Sequence, residues 1–194
     1  NTTVASLKDR ELTLSNGKKL KTDFTIVAAE ANGLIPNLSN QATEWKSCDT
    51  LYFETKERII AKPLIGLIPD TDALINNIFY HTSLSTVQAA KNQLLSVTVV
   101  KNHNLSEEAL VTQVINELKQ KCGIDSCTFL RQYKIPMALP RLDNLQYDML
   151  PSETRLTTTI FLAGDTQLNG SLNAAMISGE RAAMGVIETL RASH

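Results

Sequence analysis

The last 40 residues constrain the fold of this 194-residue chain more than any other segment. The apolar run TTTIFLAG at 157–164 predicts a buried strand, DTQLNGS at 165–171 predicts a loop, and 171–192 predicts one long helix. The predicted inward stripe of this helix is Leu172, Ala175, Met176, Gly179, Ala182, Ala183, Val186, Ile187 and Leu190. Because the stripe begins with small side chains, we expect the start of the helix to lie close against a sheet or a flat ligand.

The loop before this helix has the composition of a ligand-binding turn. The first turn of a helix carries unpaired N–H groups and a partial positive charge, which stabilise an anionic or electron-rich group. Gly170 permits close backbone approach, and Ser171 is a good N-cap. Asp165, at the end of the strand, is placed to accept hydrogen bonds from sugar-like hydroxyls. These residues alone leave two interpretations open, a ligand site and an ordinary capped strand–loop–helix unit.

The first third of the chain predicts strands. ELTLSNGKKLKTD contains Asn16-Gly17, which favours a hairpin with a type I′ turn because both residues accept a positive φ. FTIVAAEA at 24–31 predicts a strand that is covered on both faces. Residues 45–103 then predict an antiparallel sheet from four runs, DTLYFET, RIIAKPLIGLI, NNIFYHT and LLSVTVV.

A helix over 106–122 follows, with Ser106 as its N-cap and Gly123 just beyond its end. The run CTFLRQYKI then predicts a strand that stops at the prolines, Pro136 and Pro140. Residues 141–155 have the composition of a loop.

Composition and charge exclude several classes of function. The net charge is −1 and the sequence has no basic cluster, so it does not indicate a surface that binds the phosphate backbone of a nucleic acid. The apolar runs are shorter than the roughly 20 residues of a membrane span, and the sequence leaves a membrane surface open as a partner without indicating one. The odd number of cysteines, three, predicts free thiols in a reducing, cytoplasmic compartment. The three histidines match no metal-ligand spacing, so no metal site is expected.

The string IFLAGDTQLNGSLNAAMISGERAA resembles the C-terminal FAD signature of the phytoene-desaturase, amine-oxidase and protoporphyrinogen-oxidase superfamily. The matching positions are Gly164, Asp165, Gly170, Ser171, Ala175, Ser178, Gly179, Ala182 and Ala183. Ala174 is a departure, because many members carry glycine there. LSNGKKLKTDFTIVAA and YKIPMALP (133–140) extend the resemblance to essentially the whole chain, but only to the C-terminal half of the family. No GxGxxG is present, so we expect an excised piece whose partner is the N-terminal half of the same protein.

The resemblance implies an α/β (α+β) fold. Residues 1–37 and 149–194 would form part of a Rossmann-like FAD-binding domain, and 38–148 an inserted, mainly antiparallel substrate-binding domain. The residues implied to bind FAD are Gly164, Asp165, Gly170, Ser171, Leu172, Asn173 and Ala174. Asp165 would hold the ribityl or pyrophosphate-proximal part of the cofactor. The N–H groups of residues 172–174 would face the N1/O2 edge of the flavin, where negative charge develops during hydride transfer.

The implied activity is that of an FAD-dependent oxidoreductase which moves hydride from a C–H bond to flavin. The substrate would be apolar, polyene-like or isoprenoid-like, or else an amine. The apolar candidates for a pocket lining, which favour the first class, are Leu64, Ile65, Leu67, Ile68, Ile78 and Phe79. No lysine maps onto a catalytic position, so the catalytic residues are not identified, and the oligomeric state is not predicted. Two alternatives are a non-catalytic binding fragment without flavin and a generic α/β domain.

Overall fold

The computed structural model describes residues 2–35, 43–85 and 91–192. The chain forms two compact units: unit 1 comprises residues 1–45 and 139–194, and unit 2 comprises residues 46–138. Each unit combines strands with one long helix and has its own buried apolar cluster. The mixed α/β fold class that was predicted is confirmed.

The described residues contain ten strands, two α-helices and three short 3-10 helices. The strands are β1 (Val4–Lys8), β2 (Glu11–Leu14), β3 (Lys19–Lys21), β4 (Thr25–Val27), β5 (Trp45–Thr55), β6 (Gly66–Leu67), β7 (Ile75–Tyr80), β8 (Gln93–Val99), β9 (Cys127–Pro140) and β10 (Ile160–Leu162). The helices are α1 (Glu107–Cys122) and α2 (Leu172–Ala192), and the 3-10 helices are His81–Ser83, Pro151–Thr154 and Asp165–Gln167.

Strands β1, β2 and β3 of unit 1 form an antiparallel sheet in that order. The predicted hairpin around Asn16-Gly17 is present between β2 and β3, but the predicted turn type is wrong. Gly17 has a φ of 82°, whereas Asn16 is not among the residues with positive φ. The carbonyl of Leu14 accepts a hydrogen bond from the N–H of Gly17 at 2.9 Å. Such a three-residue loop combines a type I turn with a left-handed glycine, so only one residue needs a positive φ.

A parallel pair, β4 and β10, brings the two ends of the chain together in unit 1. Thr25 pairs with Ile160, and Val27 pairs with Leu162. Just past the pair, the N–H of Ala163 donates to the carbonyl of Val27 at 2.9 Å. Both strands therefore end at the same edge, which is where α/β sheets place ligands.

Helix α2 packs against β10 through small residues. Its fully buried positions are Ala174, Ser178, Ala182 and Gly185. The predicted inward stripe is therefore wrong for most of its members: only Ala182 is fully buried, whereas Leu172 is 78% exposed and Met176 is 67% exposed. The reason is distance, because a Cβ on Gly185 would lie 2.9 Å from a ring carbon of Phe161. At such a close approach the buried positions select small side chains, not large apolar ones.

The five-stranded sheet of unit 2 has the order β6-β7-β8-β5-β9. The predicted helix is confirmed as α1: Ser106 Oγ accepts from the N–H of Ala109 at 3.3 Å, and Gly123 ends the helix with a φ of 68°. The apolar face of α1 joins the strands in one cluster, which comprises Leu51, Phe53, Ile75, Ile78, Tyr80, Leu95, Val97, Val99, Leu110, Val114, Leu118 and Ile124. Buried Glu117 accepts hydrogen bonds from the N–H groups of Leu74 and Ile75, both at 3.0 Å, and ties α1 to β7.

Two strands of unit 2 differ from the sequence prediction. Of RIIAKPLIGLI, only Gly66 and Leu67 form a strand, and the residues before them form a loop that contains Pro63. Strand β9 continues through Pro136 to Pro140 instead of stopping at the first proline. It lies at the edge of the sheet, where a missing N–H is tolerated.

The loop 141–150 is joined to α2 by an ion pair. Arg181 donates to Asp148 through Nε at 3.1 Å and through Nη2 at 3.0 Å. The N–H of Met149, followed by the Arg181 guanidinium, lowers the pKa of the Asp148 carboxyl. Bidentate pairing of this kind gives the loop a defined position on the helix.

The close contact of α2 with β10 predicts that Gly185→Ala destabilises the protein. The added methyl group would meet both Phe161 and the carbonyl oxygen of Pro151 at 2.9 Å. Overpacking of this kind costs about 1–3 kcal/mol, which lowers the melting temperature by several degrees. Thermal unfolding of the full-length protein measures the effect.

Gly179→Ala is the matched control on the same helix, because nothing lies within 4 Å of the Cβ it would add. We expect it to leave the melting temperature unchanged or raise it slightly, since alanine favours a helix over glycine by about 1 kcal/mol. Equal effects of the two substitutions would contradict the packing argument.

Arg181→Met is expected to reduce stability near neutral pH and to have less effect in acid. The pKa of Asp148 is lower in the folded state than its unfolded value of 3.8. The contribution of Asp148 to the free energy of unfolding is therefore present above pH 3.8 and is lost as the pH falls through the folded-state pKa. Urea unfolding gives the free energy of unfolding of wild type and variant, measured from neutral pH down to pH values at which carboxyl groups are protonated. A difference between wild type and variant that stays constant across the range would disprove the coupling.

Candidate functional site

A cavity of about 620 Å³ lies beside the carboxyl ends of β4 and β10. All the residues that line it belong to unit 1: Val27, Ala29, Glu30, Ala31, Thr43, Glu44, Arg141, Leu142, Asp143, Leu162, Ala163, Thr166 and Gln167. Its volume is in the range of small-molecule sites, and its position is the one that parallel sheets use for ligands.

Gly164 turns the chain out of β10 in a conformation that only glycine adopts readily. Its φ is 134° and its ψ is 168°, and a Cβ there would point into space occupied only by the Thr166 hydroxyl at 3.9 Å. The fully buried hydroxyl of Ser178 accepts from the N–H of Gly164 at 2.9 Å and lies at the same distance from its carbonyl oxygen. This side chain therefore holds the end of the strand to the helix. The sequence marks Ser178 as a match to the family signature but does not indicate this contact.

Asp165 begins the 3-10 helix that follows β10. Its carbonyl accepts from the N–H of Leu168 at 3.2 Å and from the N–H of Gly170 at 3.0 Å, which folds the loop back on itself. Its half-buried carboxylate makes no hydrogen bond or ion pair with any residue in the described ranges. The side chain is thus available to an external donor, and the next two residues line the cavity.

The predicted N-cap is present at the start of α2. Ser171 Oγ accepts from the N–H of Ala174 at 3.1 Å, and the Ser171 carbonyl accepts from Ala175 at 3.0 Å. Of the three N–H groups at 172–174, those of Leu172 and Asn173 lack an acceptor within the part of the chain that the structure describes, whereas that of Ala174 is paired with the cap. The two groups belong to the positive end of a 21-residue helix.

Gly170 lets this helix start close to a neighbouring strand end. Its φ is 72°, and a Cβ would lie 3.1 Å from a methyl group of Leu139 and 3.2 Å from the ring of Pro140. Alanine would be strained here both by conformation and by contact.

The loop 141–150 forms one wall of the cavity and is tied to its surroundings on three sides. The N–H of Arg141 donates to the carbonyl of Glu44 at 2.7 Å, and Gln146 donates to Leu168 at 3.1 Å. The side-chain amide of Asn169 returns a hydrogen bond to Gln146 at 2.9 Å. Together with the Arg181 ion pair, these bonds hold the wall against the loop that contains Asp165.

Four charged residues of the cavity were not predicted from the sequence. Glu30, Glu44, Asp143 and Arg141 line it, and the last of these pairs with Glu44 at 3.5 Å. They come from three separate segments of the chain and belong to no motif, so no local signal marks them. Apart from this one guanidinium, the charged residues of the lining are acidic.

The three cysteines belong to unit 2, whereas the residues that line the cavity belong to unit 1. Cys48, Cys122 and Cys127 are all free, and burial raises the pKa values of Cys122 and Cys127. Within the described ranges, no three His, Cys, Asp or Glu side chains are grouped as a metal site requires. Neither described helix is both long and apolar enough to cross a membrane.

Comparison with solved structures supports the fold. A structure of putrescine oxidase bound to putrescine is 11% identical in sequence and gives a TM-score of 0.64. The match covers 96% of this chain and 48% of that one. An oxidoreductase from Methanosarcina mazei gives 11% identity, a TM-score of 0.64, and the same 96% and 48% coverage. A proposed protoporphyrinogen oxidase from Exiguobacterium sp. 255-15 gives 16% identity and a TM-score of 0.63, with 98% of this chain and 47% of that one covered. The chain thus spans about half the length of these structures, and at such low identity the likeness shows the fold alone.

Comparison with curated protein sequences finds no match. The family model for flavin-containing amine oxidoreductases, in contrast, matches residues 1–187, which is nearly the whole chain. The chain therefore belongs to the flavin-containing amine oxidoreductases, a family whose cofactor is FAD.

Proposed function

We propose that this chain is the C-terminal half of an FAD-dependent oxidoreductase that transfers hydride from a C–H bond of its substrate to the flavin. Unit 1 would bind the cofactor, and unit 2 would bind the substrate. The observation that supports this most directly is the segment 164–173, where the Asp165 carboxylate and the N–H groups of Leu172 and Asn173 have no partner among the described residues. The segment joins a glycine-terminated strand to a capped helix.

The residues of this loop fit the parts of FAD that family resemblance assigns to them. The carboxylate of Asp165 would accept hydrogen bonds from the sugar-alcohol chain, since a carboxylate without an internal partner can accept several. Gly164 would allow the backbone to approach the cofactor, because a Cβ there would meet nothing nearer than the Thr166 hydroxyl at 3.9 Å among the described residues. Gly170 would act indirectly, by letting the start of α2 lie close to Leu139 and Pro140. Hydride acceptance is the chemistry that the flavin would supply.

The two unpaired N–H groups of Leu172 and Asn173 would stabilise negative charge on the flavin. They are held in place by the Ser171 cap, so they need no rearrangement when charge develops. The N–H of Ala174 has a smaller part in this proposal than the sequence suggests, because it donates to Ser171.

The upstream half of the protein would complete unit 1. Among the described residues the parallel sheet has two strands, and whereas β10 is buried, Ile26 of β4 is 40% exposed. Parallel sheets are normally covered on both faces. An apolar crevice of about 380 Å³ follows β4 and is lined by residues such as Val4, Leu7 and Leu12. The large apolar side chains on the outer side of α2, among them Leu172 and Met176, are also exposed. Added strands and helices would cover both surfaces.

For the substrate, we propose an apolar molecule in preference to an amine. Four rings of unit 2 contact one another: Tyr52 with Tyr133 at 5.8 Å and with His81 at 5.7 Å, and Phe79 with His81 at 5.1 Å. The Arg131 guanidinium already lies 5.1 Å from the Tyr133 ring centre, where it would repel a cationic amine. We propose this ring cluster as part of the substrate surface.

The six residues predicted to line an apolar substrate pocket lie in three different environments. Ile78 is buried in the core of unit 2, and Ile68 packs against that core. Phe79 belongs to the ring cluster, whereas Leu64, Ile65 and Leu67 are exposed.

Free thiols support a reducing compartment such as the cytoplasm.

In the full-length protein, Asp165→Asn is expected to weaken FAD binding on the order of ten- to a hundredfold, the usual cost of losing hydrogen bonds to a charged group. Flavin retained through dialysis, read by absorbance, measures it. Asp125→Asn, an exposed carboxylate of unit 2, is the control and should retain flavin. Full flavin retention by both variants would contradict the role of Asp165.

The 194-residue chain alone is expected to bind FAD weakly or not at all, because the family's adenine and pyrophosphate site lies in the upstream half. Titration with FAD, followed by flavin fluorescence, tests this, and circular dichroism establishes whether the chain is folded. Adding the upstream half as a separate polypeptide should restore binding. Tight, stoichiometric quenching by the chain alone would refute the proposal that FAD binding needs both halves.

A further inference from the structure

A loop of unit 2 presents large apolar side chains to solvent. We define the apolar loop as residues 59–67, between β5 and β7. Within it, Ile59 is 50% exposed, Leu64 57%, Ile65 63% and Leu67 71%. Four large apolar side chains, all at least half exposed within nine residues of sequence, indicate a contact site.

The apolar loop is held in position by its base. Ile60 and Ile68, at its two ends, pack against the core of unit 2. Gly66 pairs with Ile78 in the sheet, and a methyl group of Ile60 lies only 2.7 Å from where a Cβ of Gly66 would be. The N–H of Leu64 donates to the carbonyl of Lys62 at 2.8 Å, which makes a tight turn. The outward side chains are therefore displayed by an anchored loop.

Cations flank these apolar side chains. Lys56, Arg58 and Lys62 are all exposed, and Arg58 is oriented by a hydrogen bond to the carbonyl of Thr82 at 3.1 Å. From residue 56 to residue 67, the only acidic residue is Glu57. The next acidic residue, Asp70, is paired with Lys121 and so has its charge compensated.

We propose that the apolar loop docks this protein onto the surface of an anionic lipid bilayer. Leucine and isoleucine side chains partition into the interfacial region of a bilayer, and nearby lysine and arginine side chains bind anionic headgroups. The two-residue strand β6 offers few backbone groups for pairing with a protein strand, so the side chains carry the contact. The proposal is independent of flavin binding, because every residue in it belongs to unit 2.

Sedimentation of the full-length protein with phosphatidylcholine vesicles, with or without phosphatidylserine, tests this. We expect binding to the anionic vesicles that weakens with salt, and little binding to the neutral ones. The triple variant Lys56→Gln, Arg58→Gln, Lys62→Gln should bind on the order of a hundredfold more weakly. The triple variant Leu64→Ser, Ile65→Ser, Leu67→Ser should lose binding as well. Leu145→Ser, an exposed leucine of unit 1, and Lys18→Gln are the matched controls and should bind like wild type.

Tryptophan fluorescence distinguishes the bilayer from a protein cover. In Leu64→Trp, the fluorescence of the new tryptophan is obtained by subtracting the wild-type spectrum, to which Trp45 contributes. Without vesicles its emission maximum should be that of an exposed indole. When anionic vesicles are added, the maximum should shift to the blue. Emission that is already blue without vesicles would show that another part of the protein covers the loop, and would overturn the proposal. So would absence of sedimentation, or full binding by either triple variant while its melting temperature matches wild type.

Discussion

The contact between α2 and β10 determines the geometry of unit 1. Phe161 lies against Gly185, and the hydroxyl of Ser178 is bonded to the backbone of Gly164, so the helix is held to the strand at two points. Both points require a small residue on the helix. Because the helix axis is set by these contacts, the position of its first turn relative to the end of the strand is set as well. The unpaired N–H groups and the carboxylate of Asp165 owe their arrangement to that packing.

The same contact explains why the outer side of α2 is so apolar. A helix that buries alanine, serine and glycine against its own sheet gains little from the hydrophobic effect on that side. Its large side chains, such as Met176 and Ile187, lie on other faces and are exposed. Such a helix is stabilised fully only when a second layer covers it. The pattern agrees with the proposal that an upstream half of the protein covers this helix.

Local signals in the sequence predicted α1 and its ends, since Ser106 and Gly123 act through neighbouring backbone groups. The stripe of α2 was mispredicted because hydrophobicity selects large residues, whereas close approach selects small ones. The type of the turn at Asn16 was missed because the pattern does not reveal loop length. Contacts between distant residues, such as that of Glu117 with Leu74 or that of Arg181 with Asp148, have no sequence signal. The family resemblance predicts the glycines and Asp165 of the candidate site, and this stays a prediction. The cavity wall was not predicted, because residues 141–150 resemble any polar loop.

The proposed flavin site would be built from one helix start and one strand end, and this has a physical consequence for how the protein can change its specificity. The elements that would bind the cofactor depend on backbone groups and on three small residues, Gly164, Gly170 and Ser178, which tolerate little change. The ring cluster of unit 2 depends on side chains at four separate positions, none of which belongs to the buried apolar core of that unit. Under the proposed assignment, a change of substrate in unit 2 would therefore be less costly than a change of cofactor in unit 1.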